Sequence, residues 1–280
     1  MIPTGKAKLA GVLGWPIAHS RSPRLHGFWL DRLGIDGAYV PLAVRPEDLA
    51  LTLRLLPRLG FRGCNLTLPH KEAAVGLVDT LSARAERIGA INTVIVGSDD
   101  KLMGDNTDGY GFIENLKASG VDPARGPAVV LGAGGGARAV VASLLDAGAP
   151  RVVVANRGAA RAEALAQALG SKVTTVPWEH RAEALAGAAL LVNTTSLGMS
   201  AQPPLDIDLA RLPAAAAVSD LVYVPLETPL LARAKARGLK TVDGLGMLLH
   251  QARPGFAAWF GREPEVTDEL RRFVLADAKP

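Results

Sequence analysis

The sequence predicts an α/β protein with two domains, an N-terminal α/β domain with a mostly parallel sheet and a doubly wound α/β domain after it. The first observation is length, because 280 residues are enough to bury two hydrophobic cores. The second is that short apolar runs alternate with helical patterns along the whole chain. The third is a glycine-rich turn near the middle of the sequence, which joins an apolar run to a helix.

The first hundred residues alternate short apolar runs with amphipathic stretches. We expect them to form a mixed or parallel sheet with helices over both faces. A longer helix is predicted at 108–119, and the Gly- and Pro-containing stretch SGVDPARGP at 119–127 marks a domain boundary. The predicted strands are 9–14, 38–42, 63–67, 91–96 and 101–104, and the predicted helices are 23–33, 46–59, 71–78 and 82–88.

Beyond the boundary, strand and helix patterns repeat more regularly. Six apolar strands separated by alanine-rich helices describe a Rossmann-type fold. Residues 245–260 and 266–276 are helical with no strand after them, so we expect these helices to return to the first domain. The predicted domains are therefore 1–108 with 245–280, and 109–244. The six strands are predicted at 128–131, 151–155, 172–176, 190–193, 218–223 and 240–242.

Composition excludes several classes of protein. Hydrophobic residues make up 49% and charged residues 21% of the chain, which is typical of a folded globular protein. No apolar run reaches the roughly twenty residues that cross a membrane, and no basic run suggests nucleic-acid binding. We therefore expect neither a membrane nor a nucleic acid as partner. The single cysteine, Cys64, cannot form an internal disulfide, which favours a cytoplasmic protein.

The segment VVLGAGGGARAV passes directly from a strand into a helix. Gly132, Gly134 and Ala137 match the G-x-G-x-x-G/A pattern of dinucleotide-binding turns. The first position permits a tight turn, the second lets a pyrophosphate approach the backbone, and the third lets the helix pack on the sheet. A plain tight turn is the alternative. Because the pattern follows the first strand of a six-strand series, the sequence favours dinucleotide binding.

The end of the second strand in this series distinguishes between the two nicotinamide cofactors. NAD sites usually carry an acidic residue about twenty residues after the glycine turn. This chain has Asn156 and Arg157 there, with Arg161 one helical turn later. A guanidinium can grip a 2′-phosphate that a carboxylate would repel, so the cofactor is predicted to be NADP. The alternative is that Arg157 is a solvated turn residue.

The segment HSRSP places two hydroxyls one residue apart where a helix is predicted to begin. One interpretation is capping, with Ser22 before Pro23 at the first helical position. The other is that the helix start binds an anion. If the segment is extended, Ser20 and Ser22 point to the same side and both hydroxyls can face one carboxylate.

Taken together, several stretches resemble the shikimate dehydrogenase family. They occur in the order found in that family and cover nearly the whole chain. The resemblance implies reduction of 3-dehydroshikimate to shikimate with NADPH, a late step of aromatic precursor synthesis. We expect the protein to be a monomer or homodimer. The stretches are GWPIAHSRSPRLH (14–26), NLTLPHK (65–71), IGAINT (88–93), GDNTDGYG (104–111), GAGGGARA (132–139), ANR (155–157), NTTSLGM (193–199), DLVYVPLETPLL (220–231) and GLGMLLHQA (244–252).

The resemblance also implies a set of site residues. The first domain, 1–108 with 245–280, would bind the substrate, and domain 109–244 would bind NADP. Substrate binding is expected from Ser20, Ser22, Asn65, Thr67, Lys71, Asn92, Asp108, Tyr223 and Gln251. Cofactor binding is expected from Gly132, Ala133, Gly134, Gly135, Gly136, Ala137, Asn156, Arg157, Arg161, Thr195, Ser196, Leu221 and Gly244.

The amides among these residues can both donate and accept hydrogen bonds to ring hydroxyls. For Asn65, satisfying the backbone at a strand end is a comparable alternative. Asn193 to Ser196 are expected to border the nicotinamide, and Tyr223 is expected to close the fifth strand of its series.

Reduction of a ketone by hydride leaves negative charge on oxygen, and a proton must be supplied. We expect Lys71 to stabilise the alkoxide and protonate it, which requires its pKa to fall to roughly 7–8. Asp108 would favour the ammonium form, orient Lys71 and bind a substrate hydroxyl. The alternatives are a solvated lysine at a helix start, a helix-starting Asp108, and His70 as the base. No spacing of residues suggests a metal site.

Three positions depart from the family pattern. Gly27 stands in place of Asn, at a position that is not assigned to ligand contact, and Leu66 stands in place of Val, a change expected to be harmless. Gly158 stands where a Thr often helps to hold the 2′-phosphate, which would weaken the NADP preference. The alternatives left open are a quinate/shikimate dehydrogenase with NAD or dual cofactor use, and a dinucleotide-binding regulatory protein without catalysis.

Overall fold

The structure is a computed structural model that describes residues 2–276. Within these residues the chain divides into two compact units. The first unit contains residues 2–107 and 249–276, and the second unit contains residues 108–248. In the part of the chain that the structure describes, no helix is both long and apolar enough to cross a membrane.

The first unit contains a six-stranded mixed sheet with strand order β2-β1-β3-β5-β6-β4. β1 pairs in parallel with β2 and β3, and β4 pairs in parallel with β6, whereas β5 is antiparallel to both of its neighbours. The central strand β1 is buried from Ala10 onward, as expected for a strand covered on both faces. The strands are β1 Lys8–Gly14, β2 Gly37–Ala43, β3 Phe61–Leu66, β4 Thr80–Leu81, β5 Thr93–Val96 and β6 Leu102–Asp105.

Helices in this unit differ from the predicted ones where proline or glycine interrupts the pattern. Predicted helix 46–59 is an α-helix over Leu49–Leu55 with a 3₁₀ turn on each side, because Pro57 lacks the N–H that would continue the helix. Predicted helix 71–78 is a 3₁₀ segment, Ala73–Leu77. The two-residue strand β4 is too short to leave a periodic signal. The α-helices are α1 Ser22–Arg32, α2 Leu49–Leu55 and α3 Ala83–Ile88, followed after the second unit by the rest of α8 Gly244–Phe260 and by α9 Asp268–Leu275.

The second unit contains a six-stranded, fully parallel sheet with strand order β12-β11-β10-β7-β8-β9. Numbered within this unit, that order is 6-5-4-1-2-3, the arrangement of a dinucleotide-binding fold. The predicted fold class is confirmed. The strands are β7 Ala128–Leu131, β8 Val152–Asn156, β9 Val173–Pro177, β10 Leu190–Asn193, β11 Ala217–Asp220 and β12 Lys240–Val242.

Regular α-helices are fewer in this unit than the sequence pattern predicts. They are α4 Asp108–Ala118, α5 Gly135–Asp146, α6 Ala159–Leu169, α7 Pro229–Ala236 and the start of α8. The β9–β10 connection contains only 3₁₀ turns, Trp178–His180 and Glu183–Leu185, and the described chain between β10 and β11 has no helix. Leu205, Ile207, Leu209 and Leu212 of that connection are buried in the core, so irregular chain covers the sheet there.

Candidate active site

Polar residues of the first unit collect where the parallel strands β1 and β3 end. The two ends are tied together, because the Thr67 N–H donates to Leu13 O at 2.9 Å and the Trp15 N–H donates to Leu68 O at 3.1 Å. Asn65 is buried and Thr67 is half-buried at this edge. Carboxyl ends of parallel strands are where α/β proteins bind ligands, so the predicted substrate residues lie at a suitable edge.

The segment around Ser20 and Ser22 is not extended, and the prediction of an extended segment is wrong. Helix α1 begins at Ser22, with Arg21 as the N-cap at φ −92° and ψ −4°. Ser20 Oγ accepts a 3.3 Å hydrogen bond from the Ser22 N–H, which satisfies a donor that the first turn leaves unpaired. Pro23 is therefore the second helical residue, and Ser20 rather than Ser22 performs the capping function.

Tyr39, which the sequence analysis did not single out, is hydrogen-bonded to two of the predicted site residues. Its hydroxyl donates a 2.6 Å hydrogen bond to Asn65 Oδ1 and is also hydrogen-bonded to the Ser22 side chain. Burial raises the pKa of Tyr39 well above its usual value, so the hydroxyl keeps its proton. Tyr39 is buried although β2 is an edge strand, and a buried tyrosine hydroxyl needs a polar partner.

The Asn65 side chain is held by hydrogen bonds to three neighbouring protein groups. Besides accepting from Tyr39, it donates through Nδ2 to Asn92 O at 3.0 Å and to Thr93 Oγ1 at 3.2 Å. These contacts satisfy strand-end groups, as the alternative interpretation of Asn65 proposed. Asn65 therefore links the β3 end to the segment that precedes β5.

Asn92 is the centre of a buried hydrogen-bond network. Its Oδ1 accepts from the Thr107 N–H at 2.8 Å, and its Nδ2 donates to Gln251 Oε1 at 3.1 Å. The Thr107 hydroxyl lies 3.1 Å from Asn92 Nδ2 and 3.4 Å from Gln251 Oε1. The structure thus brings together two predicted residues, Asn92 and Gln251, and adds Thr107, which is not among the predicted site residues.

Lys71 is half-buried and lies between the end of β3 and the 3₁₀ segment, so it does not start a regular helix. Its backbone oxygen accepts from the Ile91 N–H at 2.8 Å, which fixes Lys71 beside the residue preceding Asn92. Asp108 is 5% exposed and opens α4, directly after Thr107 in the chain. Asp108 thus begins the second unit, whereas Lys71 lies in the first.

His70 is held in a structural role. Its ring is buried, and Nε2 lies 2.8 Å from Val44 O. Because a carbonyl oxygen only accepts, Nε2 carries the proton in this contact. The His70 N–H also donates to Thr67 O at 2.9 Å. These contacts account for His70 without a catalytic function. Among the described residues, no group of three or more His, Cys, Asp or Glu is arranged to hold a metal ion.

The glycine turn of the second unit has the geometry that dinucleotide binding requires. Gly132 has φ +111°, and a side chain there would lie 2.6 Å from Thr194 Oγ1. Gly134 caps α5, and a Cβ at Gly134 would meet no atom of the described chain within 4 Å. The turn is therefore open above the first N–H groups of the helix, where a pyrophosphate would bind. The turn and first helical residues are Gly132, Ala133, Gly134, Gly135, Gly136 and Ala137.

The end of β8 carries the residues predicted to select the cofactor. Asn156 is the last residue of the strand, and its Nδ2 donates to Gly158 O at 2.9 Å. Arg157 and Arg161 are exposed, one in the turn and one in the first turns of α6. Two exposed guanidinium groups and no carboxylate at this strand end fit a 2′-phosphate.

The ends of β10 and β11 are joined by a buried carboxylate. Asp220 accepts from Asn193 Nδ2 at 2.9 Å, from Thr228 Oγ1 at 2.7 Å and from the Val222 N–H at 3.0 Å. Asn193 Oδ1 in turn accepts from the Thr195 N–H and hydroxyl. Burial raises the pKa of Asp220 to about 6, although these three hydrogen bonds act to lower it. The sequence analysis did not single out Asp220, although a lone acid at the end of an apolar strand can indicate a buried, hydrogen-bonded carboxylate.

Leu221 and Gly244 are also brought together in this unit. A side chain at Gly244 would lie 2.3 Å from Leu221 O, so only glycine allows this approach. A Cβ at Gly136 would lie 3.7 Å from Leu221 Cδ2, which places Leu221 beside the glycine turn. The half-buried Thr195 and exposed Ser196 follow β10. Tyr223 does not close the fifth strand, because β11 ends at Asp220. The Asp220 side chain accepts a hydrogen bond from the Val222 N–H, and this bond stabilises a turn after the strand.

Comparison with known proteins gives one consistent result over nearly the whole chain. Residues 12–94 match the family model of the shikimate dehydrogenase substrate binding domain, and residues 118–202 match that of shikimate / quinate 5-dehydrogenase. The shikimate dehydrogenase (NADP(+)) of Paramagnetospirillum magneticum is 62% identical over 275 residues, which cover 98% of this chain and 100% of that protein.

Two solved structures are similar to this chain as well. Shikimate 5-dehydrogenase from Thermus thermophilus in complex with NADP(H) and shikimate has a TM-score of 0.87 and 43% identity, covering 97% of this chain and 100% of that one. Quinate dehydrogenase from Corynebacterium glutamicum in complex with NAD has a TM-score of 0.90 and 33% identity, covering 96% and 99%.

Proposed function

The chain belongs to the shikimate dehydrogenase family, and from that premise we propose that it catalyses the reversible NADPH-dependent reduction of 3-dehydroshikimate to shikimate. The observation that carries the proposal is the buried network of Asn92, Thr107 and Gln251. The polar side chains of this network are collected and oriented inside one unit, beside a lysine. Such an arrangement is suited to binding a small polyhydroxylated ligand.

Each group of the substrate has proposed protein partners. Ser20 and Ser22 bind the carboxylate, because their hydroxyls lie at the start of α1, where the helix favours negative charge. Asn92 and Gln251 hold ring hydroxyls, since their amides are already oriented by each other and by Thr107. The remaining proposed substrate residues are Asn65, Thr67, Lys71, Asp108 and Tyr223.

Lys71 and Asp108 are the proposed acid/base pair. The reduced nicotinamide, when bound, supplies the hydride to the carbonyl carbon. Lys71 stabilises the negative charge that develops on the carbonyl oxygen and donates a proton to it. Asp108 orients Lys71 and accepts a hydrogen bond from a substrate hydroxyl. In the reverse direction Lys71 takes the proton from the hydroxyl that is oxidised.

NADP binding is assigned to the second unit, and substrate binding to the first. The turn from Gly132 to Ala137 holds the pyrophosphate, and Arg157 and Arg161 hold the 2′-phosphate beside Asn156. Thr195, Ser196, Leu221 and Gly244 border the nicotinamide. We assign the enzyme to the cytoplasm and to a monomeric or homodimeric state.

A second candidate function is oxidation of quinate as well as shikimate, with NAD or with both cofactors. Two observations favour it, namely Gly158 at the start of α6 and the similarity to the quinate dehydrogenase that binds NAD. Initial rates with shikimate and quinate, each with NADP⁺ and NAD⁺, distinguish the two functions. The highest kcat/KM for shikimate with NADP⁺ is expected, and preference for quinate or NAD⁺ would overturn that assignment.

The proposed chemistry is tested by replacing Lys71. We expect Lys71→Ala to lower kcat for shikimate oxidation by about 10³-fold, because general acid–base catalysis and charge stabilisation are both lost. The Kd of NADP⁺, measured by fluorescence titration, is expected to stay unchanged. Lys101→Ala, at an exposed lysine, is the matched control. Wild-type turnover in the Lys71 variant would overturn the assignment.

A further inference from the structure

Arg21, the residue between the two site serines, contacts α9, the last helix of the described residues. Its Nη1 donates a 2.9 Å hydrogen bond to the backbone oxygen of Val274, in the last turn of α9. The last four carbonyl groups of a helix have no partner within the helix, and the negative end of the helix dipole lies there. A guanidinium at this position therefore hydrogen-bonds to a carbonyl oxygen that the helix leaves unpaired, and its positive charge interacts favourably with the negative end of the helix dipole.

The contact of Arg21 is one end of an antiparallel packing of α9 along α1. Next to it, Arg24 Nε donates to Phe273 O at 2.7 Å, and its guanidinium carbon lies 4.0 Å from the centre of the Phe273 ring. At the other end, Arg32 forms an ion pair with Glu269. Inside the packing, α9 buries Leu270 and Val274. The C-terminal helix is thus held against α1 along its whole length.

The backbone of Arg21 also joins the two serines. As N-cap of α1, it connects Ser20, whose Oγ accepts the Ser22 N–H, to Ser22, whose hydroxyl bonds with Tyr39. A side chain anchored at its far end restricts the backbone that carries it. The anchor on α9 therefore restricts the backbone that joins the two serines.

We infer that Arg21 is a positioning residue for substrate binding, which holds the carboxylate-binding serines in place by clamping the C-terminal helix. The inference rests on the proposed function, since it concerns the serines assigned to the substrate carboxylate. It assigns α9 a role in substrate affinity although α9 contributes no residue to the site.

The inference is tested by comparing Arg21→Met with Arg24→Met. Both variants keep an unbranched stem and remove one guanidinium that donates to a carbonyl of α9, but only Arg21 lies between the serines. We expect Arg21→Met to raise KM for shikimate about five- to tenfold, with kcat and KM for NADP⁺ within about twofold of wild type. Arg21→Lys, which can still donate to the carbonyl, is expected to restore most of the affinity.

Arg24→Met separates positioning from general stability. It is expected to lower the thermal midpoint as much as Arg21→Met does, while its KM for shikimate stays at the wild-type value. An unchanged KM in Arg21→Met, or an equal rise in Arg24→Met, would overturn the inference and leave the proposed function intact. A wild-type protein that does not reduce NADP⁺ with shikimate would overturn both.

Discussion

The side-chain amide of Asn92 donates a 3.1 Å hydrogen bond to Oε1 of Gln251, 159 residues further along the chain. This bond joins the residue before β5 to helix α8 and defines the orientation of both amides. Since Gln251 Oε1 is turned toward Asn92, the Gln251 Nε2 is turned away from it. Both side chains are buried, so their orientation is set before any ligand binds.

Gln251→Ala tests whether this arrangement binds the substrate. We expect KM for shikimate to rise about tenfold, with kcat within about threefold, because a hydrogen bond to a ring hydroxyl is lost in ground state and transition state alike. Initial-rate kinetics with saturating NADP⁺ measure the effect. Gln167→Ala, on the exposed face of α6, is the control. An unchanged KM in the Gln251 variant would contradict the assignment.

Features formed by residues close together in the sequence were predicted, whereas contacts between residues far apart in the sequence were not. Gly132, Gly134 and Ala137 were identified because strand, turn and helix are adjacent in the chain, and periodicity likewise placed most strands. The bond from Tyr39 to Asn65 was not predicted, since the parallel pairing that brings β2 and β3 to either side of β1 is a tertiary property.

Local errors arose where side chains override backbone pattern. The alternation of Ser20 and Ser22 suggested an extended segment, yet the Ser20 hydroxyl stabilises a helix start at Ser22. In the same way, the apolar run after Ala217 suggested a strand to Tyr223, and the Asp220 carboxylate ended it by binding the Val222 N–H. Such competition by short polar side chains is invisible to hydrophobic periodicity.

Gly158→Thr is expected to strengthen NADP⁺ binding. Gly158 has an ordinary φ of −97°, and a Cβ there would meet only Asn156 Nδ2, at 3.7 Å, so threonine fits without strain. A hydroxyl beside Arg157 adds one charge-assisted hydrogen bond to the 2′-phosphate, which lowers KM for NADP⁺ about threefold to tenfold. KM for NAD⁺, which lacks the phosphate, stays the same.

Arg157→Ala provides the opposite change at the same site. It is expected to raise KM for NADP⁺ at least tenfold and to leave KM for NAD⁺ nearly constant, because a guanidinium–phosphate contact is removed. Arg151→Ala, exposed just before β8, is the control. If KM for both cofactors changed together in either variant, the proposed 2′-phosphate site would be wrong.

Asp220→Asn is expected to change how stability depends on pH. Because folding raises the pKa of Asp220 to about 6, the folded state holds this proton more tightly than the unfolded state. Protonation of Asp220 therefore contributes to the free energy of unfolding. This contribution is fully present below the pKa of the unfolded state, near 4, and is lost as pH rises through 6. The free energy of unfolding of wild type minus that of Asp220→Asn should therefore fall between pH 4 and 7, by roughly 2–3 kcal/mol.

Urea unfolding of both proteins at several pH values in this range measures the difference. The asparagine cannot accept from Asn193, Thr228 and the Val222 N–H together, so the variant is expected to be less stable at every pH. Asp206→Asn, at a position outside this network, controls for general charge effects. Parallel stability curves for wild type and Asp220→Asn would show that Asp220 does not titrate as proposed.

His26 changes the free energy of unfolding with pH in the direction opposite to that of Asp220. It is completely buried, its ring is stacked on Tyr39 with centres 3.9 Å apart, and neither ring nitrogen has a hydrogen-bond partner among the described residues. Trp29, Phe256 and Trp259 surround the rest of the ring. Burial lowers the pKa of His26 to about 3, so the imidazole is neutral in the folded protein.

The sign of the pH effect follows from this lowered pKa. Below pH 6.5 the unfolded chain binds a proton at His26 that the folded protein does not, so stability falls as the pH drops, until about pH 3. His26→Phe removes the titration and the two unpaired nitrogens while keeping an aromatic ring against Tyr39. Between pH 6.5 and 4.5 we expect wild type to lose roughly 2–3 kcal/mol that the variant does not lose. His180→Phe, at an exposed histidine, is the control, and an equal loss in His26→Phe and wild type would contradict this account.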